Sequence, residues 1–338
     1  MKVLVTGGAG YIGSVLSRML TEKGYDVTCL DRFFFGTDSI KDISDRIKII
    51  RDDVRWFDPD VLRGIDAVFD LAALSNDPAG ELDPEKTMDI NYKGRARVAE
   101  LAKKQGVSKY VLASSCSIYG FQEGMLTEGS PINPLTTYAK ANSLAEGAAL
   151  PLAGENFTVA VLRQATVYGL SGRMRFDLAV NGMVLGFFRS GKIPIMRDGG
   201  QWRPFVHVKD TSNAFITTLE AEPAIVNRQI FNVSSDEQNI KIFDLAKLVA
   251  ESIGIPFNYE WYGSPDNRSY RVSFQKIKDV LEYRTSHSLA SGAREVYDAL
   301  REKKLDGDDP RTITVKWYKH LIESQKVVRE VEMDGVIL

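Results

Sequence analysis

Residues 6–13, TGGAGYIG, separate the apolar run VLV at residues 3–5 from an amphipathic helical pattern. Glycine allows a tight turn between a strand and a helix and lets the backbone approach a ligand closely. The N-terminus of the following helix offers free N–H groups and a partial positive charge, which suits a phosphate. The stretch therefore predicts a turn that binds the pyrophosphate of a dinucleotide. The predicted contacts of this turn are Gly7, Gly10, Tyr11, Ile12 and Gly13.

A second apolar run, residues 25–30, ends in Asp31, at the distance from the glycines where a carboxylate meets the hydroxyls of an adenosine ribose. A carboxylate at this point repels a 2′-phosphate, so Asp31 favours NAD over NADP. Arg32 either pairs with such a phosphate or lies over the adenine, and the neighbouring acid favours the second role. The sequence predicts NAD as the cofactor.

The composition is that of an ordinary globular protein. Of the 338 residues, 44% are hydrophobic and 26% are charged, and the formal net charge is −2. The near-neutral charge argues against a nucleic-acid surface. Cys29 and Cys116 are too few for a disulfide framework, and three scattered histidines offer no metal site. With no signal peptide and no membrane-spanning run in the sequence, a cytoplasmic location is expected.

Short apolar strands alternate with helical patterns through the first half of the chain. The predicted strands are residues 3–5, 27–30, 47–50, 67–71, 110–113 and 159–162. Such alternation predicts right-handed crossovers and an α/β fold with a doubly wound parallel (Rossmann) sheet. The helical stretches 84–105 and 138–153 have further alanine- and leucine-rich faces, which either pair across the interface of a homodimer or are buried within one subunit.

After residue 162 the pattern becomes irregular, with strand-like pieces at 205–208 and 229–233. We predict a smaller, interleaved C-terminal lobe that holds the substrate beyond the carboxyl ends of the strands. Residues 1–165 and 206–232 are assigned to the NAD-binding domain, and residues 166–205 and 233–338 to the substrate lobe and tail. The tail carries Trp317, Tyr318, Leu321 and Ile322 at helical spacing, which favours a docking surface over chemistry.

Further motifs give the chain a family resemblance over nearly its whole length. They are Asp53-Val54 after the third strand, Leu71-Ala72-Ala73 after the fourth, Asn91, SSCSIYG at residues 114–120, and the lead-in Pro131-Ile132-Asn133-Pro134 to Tyr138. Together with TGGAGYIG and Asp31, they resemble the extended short-chain dehydrogenases/reductases of the NAD-dependent epimerase/dehydratase group, which remodel nucleotide sugars.

The resemblance implies a role for each motif. Asp53 and Val54 would meet the adenine, residues 71–73 would line the pyrophosphate and ribose, and Asn91 would belong to the cofactor site. Ser115 and Tyr138 would flank the reacting carbon, with Tyr138 as acid/base and Ser115 orienting the sugar hydroxyl. Ser75 is a candidate substrate contact.

The chain departs from the family pattern one helical turn after Tyr138. Tyrosine has an ordinary pKa near 10, and the family lowers it with a lysine at this position, whereas this sequence reads YxxxN with Asn142. Lys140 lies roughly 200° around the helix and cannot take the place of that lysine. Asn142 can position the nicotinamide ribose but brings no charge. Three interpretations stay open: a natural variant that relies on the charge of the oxidised nicotinamide, a slow or redirected enzyme, and a catalytically silent or engineered protein.

The dehydratases of this family carry an Asp-Glu pair where Cys116 and Ser117 stand, so 4,6-dehydration lacks its acid and base here. Cys116 is more consistent with a small buried residue than with an acid/base in a 3- or 5-epimerase.

Arginines mark the substrate side, because a guanidinium pairs bidentately with phosphate. Arg203 resembles the family arginine that binds the nucleotide diphosphate, and Arg268 resembles a second one. Thr166 stands where many relatives carry an asparagine near the diphosphate, and Asn181 is a candidate replacement.

The sequence thus predicts an NAD-dependent nucleotide-sugar epimerase that acts by transient oxidation at C4 through hydride transfer, and a homodimer without nucleic-acid or membrane partners. The alternatives are a C4 dehydrogenase or ketoreductase that uses the same residues, and a non-catalytic NAD-binding regulatory protein.

Overall fold

A computed structural model describes residues 1–266 and 268–337. The strands, in chain order, are β1 (Lys2–Thr6), β2 (Asp26–Asp31), β3 (Lys48–Arg51), β4 (Ala67–Asp70), β5 (Lys109–Ser115), β6 (Phe121–Leu126), β7 (Thr158–Gln164), β8 (Thr166–Tyr168), β9 (Ile193–Met196), β10 (Trp202–His207), β11 (Gln229–Val233), β12 (Asn239–Lys241), β13 (Tyr259–Tyr262) and β14 (Ser269–Val272). The α-helices are α1 (Tyr11–Glu22), α2 (Asp77–Gly80), α3 (Pro84–Met88), α4 (Arg95–Lys104), α5 (Thr137–Ala149), α6 (Ala179–Ser190), α7 (Val208–Glu220), α8 (Pro223–Val226), α9 (Ile242–Ile253), α10 (Gln275–Leu281), α11 (Leu289–Arg301) and α12 (Thr314–Val331).

Seven parallel strands form the central sheet, in the order β3-β2-β1-β4-β5-β7-β11. The chain winds outward from β1 in both directions, so the strand order reverses between β1 and β4. In sheets of this kind, ligands bind in the crevice outside the carboxyl ends of the strands at that reversal. The predicted doubly wound parallel sheet is confirmed.

Both faces of the sheet are covered, as a parallel sheet requires. Successive side chains of β1 alternate between the faces: Val3 packs with Leu16 of α1 and Phe215 of α7, and Leu4 packs with Val98 of α4. All of these side chains are fully buried. The helices therefore hold the carboxyl ends of β1 and β4 in fixed positions, which is where the glycine turn lies.

The predicted helical stretches form with small differences. Residues 84–104 are helical as α3, a π-helical segment Asp89–Gly94 and α4 in direct succession. After α5, the short 3-10 helix Leu150–Leu152 completes the second stretch. The strand predicted at residues 205–208 ends at His207, because the His207 side chain accepts a hydrogen bond from the Lys209 backbone and caps α7 from Val208 onward.

The second half of the chain builds a smaller sheet of β12, β10 and β8, which packs with α6, α9 and α11 around its own apolar core. Strand β11 returns to the edge of the central sheet beside β7. Across residues 1–266 and 268–337, no helix has both the length and the apolar character needed to cross a membrane.

Candidate active site

The glycine turn closes tightly against the end of β4. Gly7 has φ +68°, and a Cβ on it would lie 3.0 Å from the backbone of Ala72. A Cβ on Gly13 would fall 2.1 Å from the carbonyl oxygen of Gly7. Larger residues at these two positions would push the turn apart, so the glycines are required by close backbone approach. The turn leaves the N-terminus of α1, capped by Gly10, facing a cavity.

This cavity has a volume of 640 Å³ and runs from the glycine turn across the strand ends to the smaller lobe. Its size falls within the range of about 300–1,000 Å³ that is usual for ligand sites. Most of the residues predicted for the cofactor and substrate sites line it. They are Gly7, Gly10, Tyr11, Ile12, Gly13, Asp31, Arg32, Asp53, Val54, Leu71, Ala72, Ala73, Ser75, Ser115, Tyr138, Thr166, Arg203 and Arg268.

Asp31 lies at the carboxyl end of β2, where the cavity begins. Its carboxylate accepts hydrogen bonds from the backbone amides of Ala9 at 3.0 Å and Phe33 at 2.7 Å. Burial raises the pKa of Asp31, and these amides oppose the rise. The side chain therefore ties the glycine turn to the next loop while facing the cavity.

Arg32 turns away from Asp31 toward Asp53. Its Nη1 lies 2.7 Å from Asp53 Oδ2, and its guanidinium stands 5.0 Å above the ring of Phe34. Arg55 binds the same carboxylate at 2.8 Å. Although burial alone would raise the pKa of Asp53, hydrogen bonds from Arg55 and Arg32 hold it below its ordinary value. Asp53 is thus an ionised anchor for the arginines at this end of the cavity.

The C-terminal helix α12 also reaches the cavity, which the sequence reasoning missed. Trp317 Nε1 donates to the carbonyl oxygen of Phe34 at 2.6 Å, and the Tyr318 ring lies 5.4 Å from that of Phe35. Tyr318 lines the cavity, and so does Arg173, whose guanidinium lies 3.6 Å from the centre of the Phe35 ring. Helical spacing in the tail predicted docking, but it carried no signal for where the helix docks.

Tyr138 and Ser115 come together from different elements. Ser115 ends β5, and its Oγ accepts a hydrogen bond from the Ser117 backbone amide at 3.1 Å. Tyr138 lies in the first turn of α5, which Thr136 caps by accepting from Ala139 N at 3.1 Å. Both Ser115 and Tyr138 line the cavity at the carboxyl end of the sheet.

Asn142 is nearly fully buried and does not line the cavity. Its Nδ2 donates to the carbonyl oxygen of Tyr138 at 3.0 Å, and its Oδ1 accepts from Arg95 Nη1 at 3.0 Å. The amide is occupied by protein groups, so its predicted contact with the nicotinamide ribose is not supported by this geometry. Lys140 is exposed, as expected from its position around the helix.

Two further predicted contacts lie outside the cavity lining and support its walls. Asn91 holds the backbone of Leu74, accepting from its N at 2.8 Å and donating to its O at 3.0 Å. Asn181 accepts from Gly169 N at 3.0 Å and donates to the Tyr11 hydroxyl at 3.0 Å. Both ends of the Asn181 amide are thus occupied by protein groups, and its predicted role as a replacement for an asparagine at Thr166 stays a prediction.

Cys116 is buried, and its thiol donates to the carbonyl oxygen of Arg163 at 3.2 Å. Burial raises the pKa of this thiol. It is not among the cavity-lining residues, whereas its neighbour Ser117 is. These features match a buried structural cysteine and do not match an acid/base.

The two arginines predicted to bind a diphosphate are brought together by one carboxylate. Asp266 Oδ2 lies 2.8 Å from Arg203 Nη2 and 2.7 Å from Arg268 Nη2. Arg268 also pairs with Asp77 of α2. Asp266 fixes the two guanidinium groups next to each other on the cavity wall. Arg203 and Asp266 are 63 residues apart in the chain, and no sequence pattern predicted their pairing.

Comparison with known proteins decides the family. A family model described as the NAD dependent epimerase/dehydratase family matches residues 3–234. The chain belongs to the NAD dependent epimerase/dehydratase family. The resemblance predicted from the motifs is confirmed, and so is NAD as the cofactor of the family.

Other members of the NAD dependent epimerase/dehydratase family are similar over most of their length. A putative UDP-glucose 4-epimerase of Methanocaldococcus jannaschii is 30% identical over 308 residues, which cover 88% of this chain and 98% of that protein. A UDP-glucose 4-epimerase of Lactobacillus helveticus is 29% identical, covering 85% and 93%. The solved structure of MoeE5 in complex with UDP-glucuronic acid and NAD has a TM-score of 0.78 and 27% identity, covering 90% and 100%.

Proposed function

We propose that this chain is an NAD-dependent 4-epimerase of a nucleotide-diphosphate sugar. The observation that carries the proposal is that Tyr138 and Ser115 line the same cavity as the glycine turn and Asp31. The proposed acid/base Tyr138 and the proposed hydroxyl-orienting residue Ser115 therefore line the same cavity as the turn proposed to bind the dinucleotide. A putative UDP-glucose 4-epimerase of Methanocaldococcus jannaschii and a UDP-glucose 4-epimerase of Lactobacillus helveticus match most of this chain, which supports the choice of reaction.

The residues present fit NAD. The turn at Gly7 and the N-terminus of α1 present backbone N–H groups to a pyrophosphate. The Asp31 carboxylate is held in place to accept from ribose hydroxyls. Leu71, Ala72 and Ala73 line the cavity beside them. When bound, NAD supplies the hydride acceptor and donor at C4 of the sugar.

The protein's own groups handle the proton. Tyr138 takes the proton of the C4 hydroxyl as the sugar is oxidised, while Ser115 holds the same oxygen in place. The 4-keto sugar then turns its other face to the cofactor. Tyr138 returns the proton to the oxygen when the C–H bond re-forms on that face. The two half-reactions balance, so no external oxidant or reductant is consumed.

The substrate's diphosphate is assigned to Arg203 and Arg268. Asp266 holds their guanidinium groups next to each other on the cavity wall, where both can donate hydrogen bonds to a phosphate. Thr166 lies on β8 beside β10, the strand of Arg203, and Ser75 lines the same cavity. A sugar bound by its diphosphate at the arginines would extend toward Tyr138.

A homodimer in the cytoplasm is proposed with this activity. Helix α5 leaves Leu144 43% exposed, a large apolar side chain on the helix that carries Tyr138. Both cysteines are free and buried, which suits a reducing compartment. Light scattering of the purified protein measures the oligomeric state directly.

The experiment that tests the function begins with release and identification of the bound nucleotide from purified protein. UDP, GDP, CDP and dTDP sugars are then added while the absorbance of the reduced cofactor is followed. Transient reduction with an isomeric product supports the epimerase. Stoichiometric conversion of added cofactor would instead show that the protein is a dehydrogenase. No product from any sugar by mass spectrometry would favour a non-catalytic NAD-binding protein.

A further inference from the structure

Arg95, the first residue of α4, is a buried arginine with 1% of its surface exposed. Its Nη2 donates to the carbonyl oxygens of Asp70 and Ala113, at the carboxyl ends of β4 and β5. Its Nη1 donates to Asn142 Oδ1 at 3.0 Å. Arg95 lines the cavity that Tyr138 and Ser115 line. The Arg95 guanidinium is therefore held in place in the wall of the cavity that Tyr138 and Ser115 also line.

The charge of Arg95 is incompletely paired by the protein. Its Nε is buried and has no hydrogen-bond partner among the residues that the structure describes. The nearest carboxylate oxygen, Asp70 Oδ2, lies 3.6 Å away. Asp70 accepts the Thr6 hydroxyl at 2.6 Å and the Tyr110 hydroxyl at 2.5 Å, so its negative charge is shared. Burying a cation in this way is costly, and the cost indicates a use beyond packing.

Asn142 connects this cation to Tyr138. The asparagine accepts from Arg95 on one side and donates to the Tyr138 backbone on the other, each at 3.0 Å. Asn142 thus fixes the distance between the guanidinium and the first turn of α5. A lysine at position 142 would place an ammonium next to that guanidinium, so a cation at each of these two positions would be unfavourable.

We propose that Arg95 is a positioning residue that supplies Tyr138 with the positive charge absent from position 142. The inference rests on the proposed function, in which Tyr138 is the acid/base. A nearby cation in a site of low dielectric favours the phenolate over the phenol. The guanidinium of Arg95 acts from the cavity wall and is held in place by Asn142.

The other arginines near Tyr138 each form a close ion pair. Arg175 lies within electrostatic reach of Tyr138 and is paired with Asp177 at 2.7 Å. Arg268 is paired with Asp77 of α2, the helix whose Gly80 packs against Tyr138. Glu81 accepts from the Thr137 backbone at 2.7 Å and faces the start of α5. Compared with these arginines, Arg95 has its carboxylate partner at a longer distance.

The first test is Arg95→Met, with Arg97→Met as the matched control. Arg97 lies on the same helix, outside the cavity lining, with its guanidinium over the Phe57 ring. The readouts are the pH profile of single-turnover cofactor reduction and an ultraviolet difference titration of each apo-protein against its Tyr138→Phe derivative. Arg95→Met should move both titrations of the Tyr138 phenol toward higher pH, and should slow reduction near neutral pH by about tenfold for each pH unit of that move. Arg97→Met should leave both unmoved.

The second test relocates the charge. Asn142→Lys alone brings two cations together and should lower the melting temperature. Arg95→Met combined with Asn142→Lys keeps one cation beside Tyr138 and should restore both stability and the parent pH profile. A merely structural role of Arg95 predicts no such restoration of the profile.

The outcomes separate the two proposals. If Tyr138→Phe abolishes cofactor reduction while Arg95→Met leaves the pH profile unmoved, the inference on Arg95 is overturned and the proposed function stands. If Tyr138→Phe keeps full activity, the proposed function itself fails. Should Arg95→Met not fold, Asp70→Asn removes the counter-charge 3.6 Å from Arg95 and must move the profile toward lower pH. An unmoved profile in that variant overturns the inference.

Discussion

Individual carboxylates in this site bind other residues of the protein and also line the cavity. Asp31 uses its oxygens on the amides of Ala9 and Phe33, at 3.0 Å and 2.7 Å, and still lines the cavity. Asp266 holds Arg203 and Arg268 together in a similar way. Because each carboxylate also binds a residue from a distant part of the chain, a substitution is expected to change the shape of the cavity wall as well as any ligand contact.

Asp31 is expected to decide the choice between NAD and NADP. Calorimetry on the parent should give NAD an affinity at least about tenfold above that of NADP, which corresponds to about 1.4 kcal/mol. Asp31→Ala should narrow this ratio, because the repulsion of a 2′-phosphate is removed. Asp26→Ala, at the exposed start of the same strand, should leave the ratio unchanged. Equal affinities in the parent would contradict the assignment.

Arg203 is expected to bind substrate phosphate. Arg203→Ala should weaken nucleotide-sugar binding by about 2 to 4 kcal/mol, because a buried charged partner is lost, and leave NAD affinity nearly unchanged. Arg271→Ala is the matched control, since that guanidinium lies over the Trp202 ring outside this cavity. Unaltered sugar-nucleotide binding in Arg203→Ala would remove Arg203 from the site.

Among the helices and strands, the C-terminal helix α12 packs next to the cavity on a loop from the N-terminal part of the chain. It packs on the loop after β2 through Trp317 and Tyr318, and Thr314 at its start accepts from Arg173 at 2.9 Å. Arg311, just before the helix, pairs with Asp38 at 3.0 Å. Helix α12 therefore forms part of the cavity wall near the loop that follows Asp31.

Loosening α12 should speed the release of NAD. Trp317→Ala removes the hydrogen bond to Phe34 and the ring that covers this loop, a loss of about 1 to 2 kcal/mol. Stopped-flow displacement should then give a dissociation rate about tenfold higher. Lys319→Ala, at an exposed position of the same helix, should release NAD at the parent rate. An unchanged rate in Trp317→Ala would place cofactor retention elsewhere.

At the scale of the whole molecule, a buried ion pair joins the sheet to the helix that carries Tyr138. Glu146 of α5 lies 2.7 Å from Arg163 of β7 and accepts the Ser114 hydroxyl at the end of β5. The carboxylate thus connects α5 to two neighbouring strands. Its contacts hold α5, the helix of Tyr138, against β5, the strand that ends at Ser115.

Removing one partner of this pair should destabilise the whole fold. Glu146→Leu leaves the Arg163 guanidinium buried without its counter-charge and should lower the free energy of unfolding by about 3 to 5 kcal/mol. Glu220→Leu breaks an exposed pair with Lys23 and should cost no more than about 1 kcal/mol. Urea denaturation compares the two variants. A loss in Glu146→Leu as small as in Glu220→Leu would show that the pair is not structural.

The features that could be predicted from the sequence depend on short stretches of chain. The glycine turn, the strands and the parallel sheet follow from backbone sterics and residue periodicity within short windows, and most predicted site residues line one cavity. The roles of Asn142 and Asn181 could not be read in the same way. A side-chain amide can hydrogen-bond to many groups, and the partners of these two, Arg95 for Asn142 and Tyr11 for Asn181, come from distant segments that pack against them.

The fold class and the glycine turn could be predicted from the chain alone, because the patterns that indicate them lie within short stretches, and the absence of a lysine one turn after Tyr138 is visible in the sequence. Contacts between distant segments could be seen only in the folded protein. Arg95 meets Asn142 across 47 residues, and Trp317 meets Phe34 across 283. Such contacts depend on how strands and helices pack in space, and no spacing of residues along the chain encodes them in a form that can be read directly.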